Sequence, residues 1–437
     1  MKIFGTHDPA TIQQLQTCLE AEEGAIGALM ADGHKGYSMP IGGVVGYTDH
    51  ISPSGVGFDI ACGVLAAKTP IHVSEVPTAQ MTAWADAIAS TIQFGIGKVN
   101  HQAPQDHPIF DRINEDGIPQ QQAMLGLARQ QLGTVGSGNH YVDLLSDRGG
   151  YIWVAVHFGS RGFGYKTAQG FLNLSEGRPW DAHRGKEEER PCLLRTDQPL
   201  GQDYIQAMTI AGEYAYAGRS VVVNRVLRIL DESPAIYSVH NHHNFAWQEW
   251  HGGRMRWVVR KGATPAYPGQ RGFVGGSMGD MSVLVEGVES VSGPAALYST
   301  VHGAGRIMSR TQAAGKVKRR WHWQCGHRSC GAVFNNNEQR RTMNGTLPHC
   351  PSCGGKLHKQ WTNERIREGA VDWEAAQEML KAHHVILRGG GPDEAPEVYR
   401  PLGGVLDDCE GTIRIVEEFW PLVAVMAGRD EADPFQE

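Results

Sequence analysis

The stretch Ser52-Pro53-Ser54-Gly55-Val56-Gly57-Phe58-Asp59-Ile60-Ala61-Cys62-Gly63 decides how the chain is interpreted. It lies in a glycine-rich segment, 36–70, whose short apolar runs predict strands joined by tight loops. Asp59 and Cys62 stand between its glycines, which let the backbone bend sharply and bring ligands from separate strands to one point. A carboxylate and a thiolate, joined by imidazoles from elsewhere, would suit a transition metal.

Three further strings set histidine among small or polar residues. They are Gly136-Ser137-Gly138-Asn139-His140, Val156-His157-Phe158-Gly159-Ser160-Arg161-Gly162 and Val239-His240-Asn241-His242-His243-Asn244. Any one of them alone is more often a histidine that packs in the core or at the surface. Their joint occurrence in one chain favours a shared metal site.

A fifth string, Thr300-Val301-His302-Gly303-Ala304-Gly305-Arg306-Ile307-Met308-Ser309-Arg310, combines glycines with arginines. Its glycines allow close approach of the backbone to a phosphate, and Arg306 and Arg310 offer charge-assisted contacts. A neutral imidazole at His302 would be a suitable nucleophile for phosphorus at neutral pH. The alternative is a helix N-terminus that happens to begin with His-Gly.

Composition narrows the class of protein. The 437 residues are 41% apolar and 20% charged, which permits a sizeable core and excludes wholesale disorder. The net charge of -7 shows that the protein as a whole is not basic, although a local cluster of Lys and Arg is enough to hold phosphates. With 55 Gly and 20 His, the chain leans toward an enzyme that handles metals or phosphates. It has no apolar run of about 18 residues and no apolar signal segment, so we expect a cytoplasmic protein without membrane contact.

Periodicity predicts both helices and strands. A helix is predicted over 8–31, the longest one over 202–231 and a last one over 409–420. The run 152–156 is predicted to be a buried strand that ends at His157.

Taken in order along the chain, these strings resemble the motifs of the RtcB family of RNA ligases. Further matching strings are Asp32-Gly33-His34, Met39-Pro40-Ile41-Gly42-Gly43, Arg260-Lys261-Gly262-Ala263-Thr264, Gly276-Ser277-Met278-Gly279 and Asp393-Glu394-Ala395-Pro396. The family uses GTP and manganese to join 2',3'-cyclic phosphate or 3'-phosphate ends to 5'-hydroxyl RNA ends, in RNA repair or tRNA splicing. The resemblance implies a mixed α/β (α+β) fold, a single large domain with central β-sheets flanked by helices.

The resemblance also implies a role for individual residues. His302 would become nucleotidylated with GMP, and Asn139 and Arg161 would bind phosphate groups beside it. Two Mn²⁺ ions would be held, with Cys62 bridging them, by Asp59, Cys62, His140, His157 and His243. The nucleotide would contact Asn139, Asp143, Ser277, Gly303, Ala304, Gly305, Arg306 and Tyr399. RNA and GTP are the implied partners, and the need for an activating protein such as archease stays open.

The chain departs from the family at the expected nucleotide base. Asp143 stands where the family usually has Glu, and Ala427 stands where Lys is expected. These changes leave open whether GTP or ATP is preferred. They also keep two alternatives to ligation: a protein of the same fold that binds or caps nucleic-acid ends, and a phosphodiesterase that only opens cyclic phosphates. The intact His302 favours ligation over the phosphodiesterase, because hydrolysis needs no nucleotidylated histidine.

The chain also departs from the family pattern by a small insertion. Two cysteine pairs, Cys325 with Cys330 and Cys350 with Cys353, have the spacing of a zinc ribbon and predict a structural Zn²⁺. We therefore divide the chain into a catalytic domain, 1–320 and 362–437, and an insertion, 321–361. The preceding basic and aromatic run 316–323, with Arg340 and Arg341, would suit a nucleic-acid backbone and stacked bases. The alternative is a solvated basic loop.

Overall fold

The computed structural model describes residues 1–184, 190–334, 349–409 and 411–428, and it confirms a mixed fold of helices and sheets. The strands are β1 (Lys2–Ile3), β2 (Ile26–His34), β3 (Ile41–Tyr47), β4 (His50–Ile51), β5 (Gly63–His72), β6 (Tyr141–Asp147), β7 (Tyr151–Phe158), β8 (Leu194–Arg195), β9 (Tyr237–His242), β10 (Asn244–His251), β11 (Arg254–Lys261), β12 (Ala263–Pro265), β13 (Arg271–Val274), β14 (Ser282–Gly287), β15 (Ser299–Val301), β16 (Lys316–Cys325), β17 (Val333–Phe334), β18 (Leu357–Arg367), β19 (Ile386–Gly390) and β20 (Ile413–Gly428). The helices are α1 (Pro9–Glu20), α2 (Pro53–Val56), α3 (Thr78–Thr91), α4 (Pro108–Asp116), α5 (Pro119–Ala123), α6 (Leu125–Gln131), α7 (Arg161–Ser175), α8 (Pro199–Ile229), α9 (Ser292–Ala295), α10 (Arg310–Ala314), α11 (Trp373–Ala382) and α12 (Leu402–Asp407). Short 3-10 turns span Val73–Glu75, Pro392–Glu394 and Pro396–Val398.

The larger sheet has the strand order β13-β14-β20-β6-β7-β5-β9, and β19 pairs with β20 beside that path. One face packs against α3 and α8, where Val154 and Val156 share a buried cluster with Ile88 and Val222. Because neighbouring side chains of a strand point to opposite faces, His157 lies on the other face. The helices thus cover one side of the sheet and leave the other side for the site.

A five-stranded sheet has the order β1-β2-β3-β11-β10. Its outer face packs on α1, where Leu15 contacts a buried cluster that includes Val45. Its inner face shares a second cluster with β13 and β14, through residues such as Val44 and Val283. The two sheets are also joined directly, because His243 is the single residue between β9 of one sheet and β10 of the other.

One predicted helix is too long and another is wrong. In the predicted helix 8–31, α1 stops at Glu20, Gly24 turns the chain with φ +76°, and Ile26–His34 pairs with β3. In place of the helix predicted over 409–420, Ile413–Gly428 forms a long strand between β14 and β6. Part of this strand is apolar on both faces because it lies inside the sheet. The periodicity of such an apolar run cannot distinguish a strand from a buried helix. The strand predicted over 152–156 and the longest helix predicted over 202–231 are confirmed as β7 and α8.

The cysteine-rich segment forms a separate three-stranded sheet in the order β17-β16-β18. Its two long strands run antiparallel, with Lys316 opposite Arg367 at the base and Cys325 opposite Leu357 at the tip. The predicted domain limits, 321 and 361, fall within these strands, and Arg340 and Arg341 lie outside the described residues. Among the helices described, none has the length and apolar character to cross a bilayer.

Candidate active site

Two groups of three potential metal ligands share the sulfur of Cys62. One group is Asp59, Cys62 and His140, and the other is Cys62, His157 and His243; within each group the ligand atoms lie within 4.8 Å of one another. The Cys62 sulfur is 3.6 Å from His140 Nε2 and 3.3 Å from His157 Nε2. The structure therefore brings together all five predicted Mn ligands around one central sulfur, an arrangement that suits two cations with a bridging thiolate.

Backbone carbonyls orient two of the imidazoles. His140 Nδ1 lies 3.0 Å from the carbonyl oxygen of Val135, and His157 Nδ1 lies 3.1 Å from that of Asn139. When Nδ1 donates its hydrogen to a carbonyl, the lone pair of Nε2 is free for a metal. Both Nε2 atoms face Cys62, so the rings are held in the orientation that metal binding requires.

The pKa shifts of two predicted ligands also fit a cation site. Burial, together with His140 and His302, lowers the pKa of His157 to about 3, so its ring is neutral at physiological pH. Burial and the nearby Asp59 raise the pKa of the Cys62 thiol well above its usual value. A bound divalent cation would reverse that shift, because coordination favours the thiolate.

The backbone of the Asp59–Cys62 turn is held by its neighbours. Cys62 donates its backbone N–H to the carbonyl of Asp59, and its own carbonyl accepts the N–H of His243. Gly159 lies against this turn; a Cβ there would come within 2.3 Å of Asp59 Oδ1. The glycine of the His157 string is thus needed for the close approach of two ligand-bearing segments.

Arg219 of α8 fastens the same two segments from the helix side. Its Nη1 donates to the carbonyls of Ala61, at 2.8 Å, and Phe158, at 2.6 Å, which are the neighbours of the predicted metal ligands Cys62 and His157. Its Nε donates to His240 Nε2 at 2.8 Å, and the guanidinium is fully buried. Sequence reasoning gave Arg219 no role, although an arginine within the buried stripe of a helix is an unusual feature that could have marked it.

His302 lies beside the predicted metal ligands, with its ring centroid 4.8 Å from that of His243. Its Nδ1 is 2.6 Å from Asp32 Oδ2, and the same oxygen accepts the backbone N–H groups of His302, at 2.9 Å, and Gly303, at 3.2 Å. Burial alone would raise the pKa of Asp32, but the charge and hydrogen bonds of His302 hold the pKa below its usual value. When an ionised Asp32 accepts the hydrogen of a neutral ring at Nδ1, the lone pair of Nε2 is left available, as the predicted role of His302 as a nucleophile requires. Asp32 belonged to a matched string but had been given no role.

Three of the predicted nucleotide-binding residues, Gly303, Ala304 and Gly305, follow His302 directly in the chain. Gly303 bridges to Gly275, in the segment that leads to Ser277, and Gly305 packs on the backbone of Asp32. Gly262 lies below the ring with φ +61°, where a Cβ would be 3.0 Å from His302 Cε1, so a side chain there would be strained and would crowd the ring. Ala304 is buried beside them.

Arg306 and Arg310 already have partners within the protein. Arg306 Nη1 donates to the hydroxyl of Tyr399 at 3.1 Å, and Arg306 Nη2 donates to the carbonyl of Asp393 at 2.8 Å. Arg310 Nη1 pairs with the Asp393 carboxylate at 3.0 Å and also contacts Glu394. This network joins Tyr399 to the His302 segment and holds the two guanidiniums in place.

Asp143 and Ala427 occupy different faces of the large sheet. Asp143 on β6 pairs with Ala424 of β20, and Tyr141 pairs with Met426. By strand alternation Ala427 lies on the opposite face from Asp143. Burial raises the pKa of the Asp143 carboxyl well above its usual value, and its Oδ1 is buried without a hydrogen-bond partner in the described structure.

Asn139 and Arg161 flank the first group of ligands. Asn139 is exposed, and its carbonyl orients His157 as described above. The guanidinium of Arg161 lies against Gly136, with Nη1 3.3 Å from His140 Nδ1. Its buried Nε has no hydrogen-bond partner among the described residues, which leaves a donor for an anion.

His240 and His242 belong to neither of the two ligand groups. His240 accepts a hydrogen bond from Arg219 and stacks on Tyr216 with ring centroids 3.8 Å apart. His242 stacks on Trp247 with ring centroids 4.9 Å apart. These two histidines therefore support the site from outside the ligand sets.

The four cysteines of the insertion form a separate cluster. The Cys325 and Cys353 sulfurs are 3.5 Å apart, and those of Cys330 and Cys350 are 3.7 Å apart. A tetrahedral zinc with Zn–S bonds of about 2.3 Å requires S–S edges of about 3.8 Å. The cysteines are free thiols, so their placement fits the predicted metal.

Comparison with known proteins agrees with this geometry. A family profile described as "tRNA-splicing ligase RtcB" matches residues 16–343. The chain belongs to the RtcB family. The RtcB assignment and its RNA-ligase class confirm the resemblance seen in the motifs.

Several curated relatives carry RtcB names. The "RNA-splicing ligase RtcB" of Escherichia coli K12 is 28% identical over 314 residues, covering 65% of this chain and 75% of the relative. The "tRNA-splicing ligase RtcB" of Pyrobaculum aerophilum is 28% identical over 395 residues, covering 70% and 80%. "RNA-splicing ligase RtcB homolog 2" of Entamoeba dispar is 30% identical over 361 residues, covering 65% and 67%.

Proposed function

We propose that this RtcB-family enzyme joins RNA ends that carry a 2',3'-cyclic phosphate or 3'-phosphate to 5'-hydroxyl ends, through GMP carried on His302. The observation that supports this most is the placement of His302. Its Nδ1 is fixed on Asp32, and its ring lies beside His243 of the cation site. A histidine held in this way is suited to attack phosphorus rather than only to bind a metal.

The chain's own residues fit two divalent cations. We propose that Asp59, Cys62 and His140 hold one and that Cys62, His157 and His243 hold the other. Mn²⁺ normally prefers oxygen ligands, so the geometry of this mixed carboxylate, thiolate and imidazole set must do much of the selection for Mn²⁺. When bound, such cations neutralise charge on a phosphoryl group and favour deprotonation of a nucleophile.

The proposed reaction proceeds in three steps. Water first opens a cyclic phosphate, where one is present, to a 3'-phosphate. His302 Nε2 then attacks the α-phosphorus of GTP, forming a P–N bond as pyrophosphate leaves, and the RNA 3'-phosphate takes the GMP from the histidine. Finally the 5'-hydroxyl oxygen attacks the activated 3'-phosphate, the new phosphodiester forms, and GMP leaves. Arg161, with its free buried Nε, is placed to bind a phosphate during these transfers.

The proposed nucleotide is GTP. Asp143 offers a buried carboxyl whose Oδ1 lacks a partner, so a base with N–H donors would satisfy it. Guanine offers a carboxyl group the adjacent donors N1–H and N2–H, whereas adenine offers only its amino group, and on this ground we propose GTP. ATP remains the alternative because the family's Glu and Lys are replaced.

Labelling of His302 tests the proposal. Wild-type protein with Mn²⁺ and GTP labelled at the α-phosphate should hold label through denaturing electrophoresis, and His302→Ala should not. His72→Ala serves as a control, because His72 lies at the far end of β5, on the carbonyl of Gly149. Addition of RNA with 3'-phosphate and 5'-hydroxyl ends should release the label and yield joined product. Label without joining would favour the end-capping alternative, and label retained in His302→Ala would exclude His302 as the acceptor.

A further inference from the structure

The zinc-ribbon insertion carries a two-faced arm made of β16 and β18. Their antiparallel register places Trp321 directly opposite Trp361, and Trp323 directly opposite Lys359. Side chains of alternate residues share a face, so Arg319, Trp321, Lys359 and Trp361 lie together. We call these four residues the aromatic face of the arm.

Cations lie over the indole rings of this face. Arg319 is 4.8 Å from the centroid of Trp361, and Lys359 is 4.4 Å from that of Trp321 and 5.2 Å from that of Trp361. Trp361 is 47% exposed, a large apolar surface for a side chain outside any core. Exposed rings with adjacent cations are the elements with which proteins bind single-stranded nucleic acid.

The ring of Trp321 is held by its neighbour on the same face, Trp323. Trp323 packs against the buried cluster of Cys325, Cys350 and Leu357 at the tip of the arm. Trp321 meets Trp323 edge to face, with ring centroids 5.6 Å apart and an interplanar angle of 90°. The aromatic face is thus attached to the cysteine cluster, and a rigid platform costs less ordering entropy when a ligand binds.

The opposite face of the arm has a different character. Arg320 pairs with Glu364 at 2.6 Å, and Thr362 lies beside His322 at 3.4 Å between Oγ1 and Nδ1. The charge of Arg320 is therefore already balanced by a carboxylate. Arg319 and Arg320 are neighbours in sequence and identical in type, but they face different surroundings.

Charge distinguishes the arm from the rest of the protein. β16 carries four Lys or Arg and β18 carries three, against one Glu in the two strands together. The whole chain has a net charge of -7. A basic arm on an acidic enzyme attracts a polyanion to one place on its surface.

The base of the arm adjoins the active site. β16 follows α10 with only Gly315 between them, and Arg310 at the start of α10 pairs with Asp393. The guanidinium of Arg310 also lies close against Gly138, in the loop that leads to Asn139 and His140. A strand laid along the arm would therefore lead toward the metal ligands.

We propose that the aromatic face of the arm binds single-stranded RNA next to the end that is joined, with bases stacked on Trp321 and Trp361 and phosphates on Arg319 and Lys359. This inference rests on the proposed function, since it assigns the RNA substrate of that site a second contact. Unpaired RNA is favoured over duplex, because the flat rings need bases whose faces are free. The excess of cations favours RNA over a protein partner.

Binding by full-length protein tests this assignment. The probe is a short fluorescent single-stranded RNA ending in 3'-phosphate, measured by anisotropy without nucleotide or Mn²⁺, with the same sequence in a duplex as comparison. Trp361→Leu should weaken single-strand binding at least about fivefold, the loss expected for one stacked base. Trp361→Phe retains an aromatic ring and should recover most of the affinity. Duplex binding should change little in either variant.

The matched variants Arg319→Ala and Arg320→Ala show which face of the arm binds RNA. Each removes one arginine, but only Arg319→Ala should weaken single-strand binding clearly, because Arg320 is paired with Glu364. Equal losses, or unchanged binding in both Arg319→Ala and Trp361→Leu, would overturn the proposal. Loss of zinc would identify a Trp361→Leu variant whose ribbon has not folded. In that case the comparison of Arg319→Ala with Arg320→Ala still tests the proposal.

Labelling of His302 in the same wild-type preparation, without RNA, separates this inference from the proposed function. If His302 is not labelled but RNA binding depends on the aromatic face, the proposed chemistry falls and the arm proposal stands. If His302 is labelled and RNA binding is indifferent to the aromatic face, the arm proposal falls alone.

Discussion

Replacement of Asp32 by Asn tests how His302 is activated. The carboxylate accepts the ring Nδ1–H at 2.6 Å and two backbone N–H groups, all on Oδ2, and Asp32 is fully buried. An Asn side chain has nearly the same shape, so the fold should be retained. Its amide oxygen carries no charge, and its NH₂ group cannot accept the ring hydrogen.

The expected loss of nucleotidylation rate in Asp32→Asn follows from the hydrogen bond between Asp32 and His302. A hydrogen bond to a charged group contributes about 1.5–3 kcal/mol. If the whole contribution is lost as positive charge develops on the attacking imidazole, nucleotidylation of His302 slows by about 10- to 150-fold. Mn²⁺ binding should change much less, because Asp32 belongs to neither ligand group.

The rate is measured as label transferred from GTP to protein over time, after rapid denaturation. Asp147→Asn is a matched control, because Asp147 also accepts three bonds, from Lys68, Trp153 and the backbone of Tyr151, at the far end of β6. The control should lose stability and keep the labelling rate of the folded protein. An Asp32→Asn enzyme that labels as fast as wild type would refute the role assigned to this carboxylate.

Other sites give further expectations. Metal analysis of Cys62→Ala should show both Mn²⁺ sites lost together, and two remaining sites would contradict the bridging sulfur. In the wild-type protein, Mn²⁺ affinity should fall as pH falls, because the raised pKa of Cys62 keeps the thiol protonated until the cation displaces its proton. Arg219→Lys should weaken Mn²⁺ affinity about 10- to 100-fold, the usual effect of removing an outer support of metal ligands, and an unchanged affinity would show that α8 does not position them. Zinc should be lost from a Cys350→Ser, Cys353→Ser double variant with Mn²⁺ binding retained, and full zinc content would exclude the ribbon site. Asp143→Glu should widen the preference for GTP over ATP in His302 labelling, whereas an unchanged ratio would mean that other residues read the base.

Local signals in the sequence were sufficient for the ligands themselves. Asp59, Cys62, His140 and His157 each stand within a few residues of a glycine, because segments that bring ligands together from different strands need close backbone approach. The paired cysteines of the insertion could be read in the same way from their spacing. The long helix α8 and the strand β7 were also predictable, since each is long or apolar enough to show its own pattern.

Contacts between distant segments were decided only by tertiary structure. Asp32 and His302 are 270 residues apart, and nothing local marks one as the partner of the other. Trp361 meets Trp321 only through the register of β16 and β18, and Arg219 reaches Ala61 only because α8 packs below the sheet. The strand β20 was mistaken for a helix for the same reason. Its conformation is stabilised by β14 and β6 on either side, and pairing energy between strands far apart in sequence leaves no trace in the local pattern of residues.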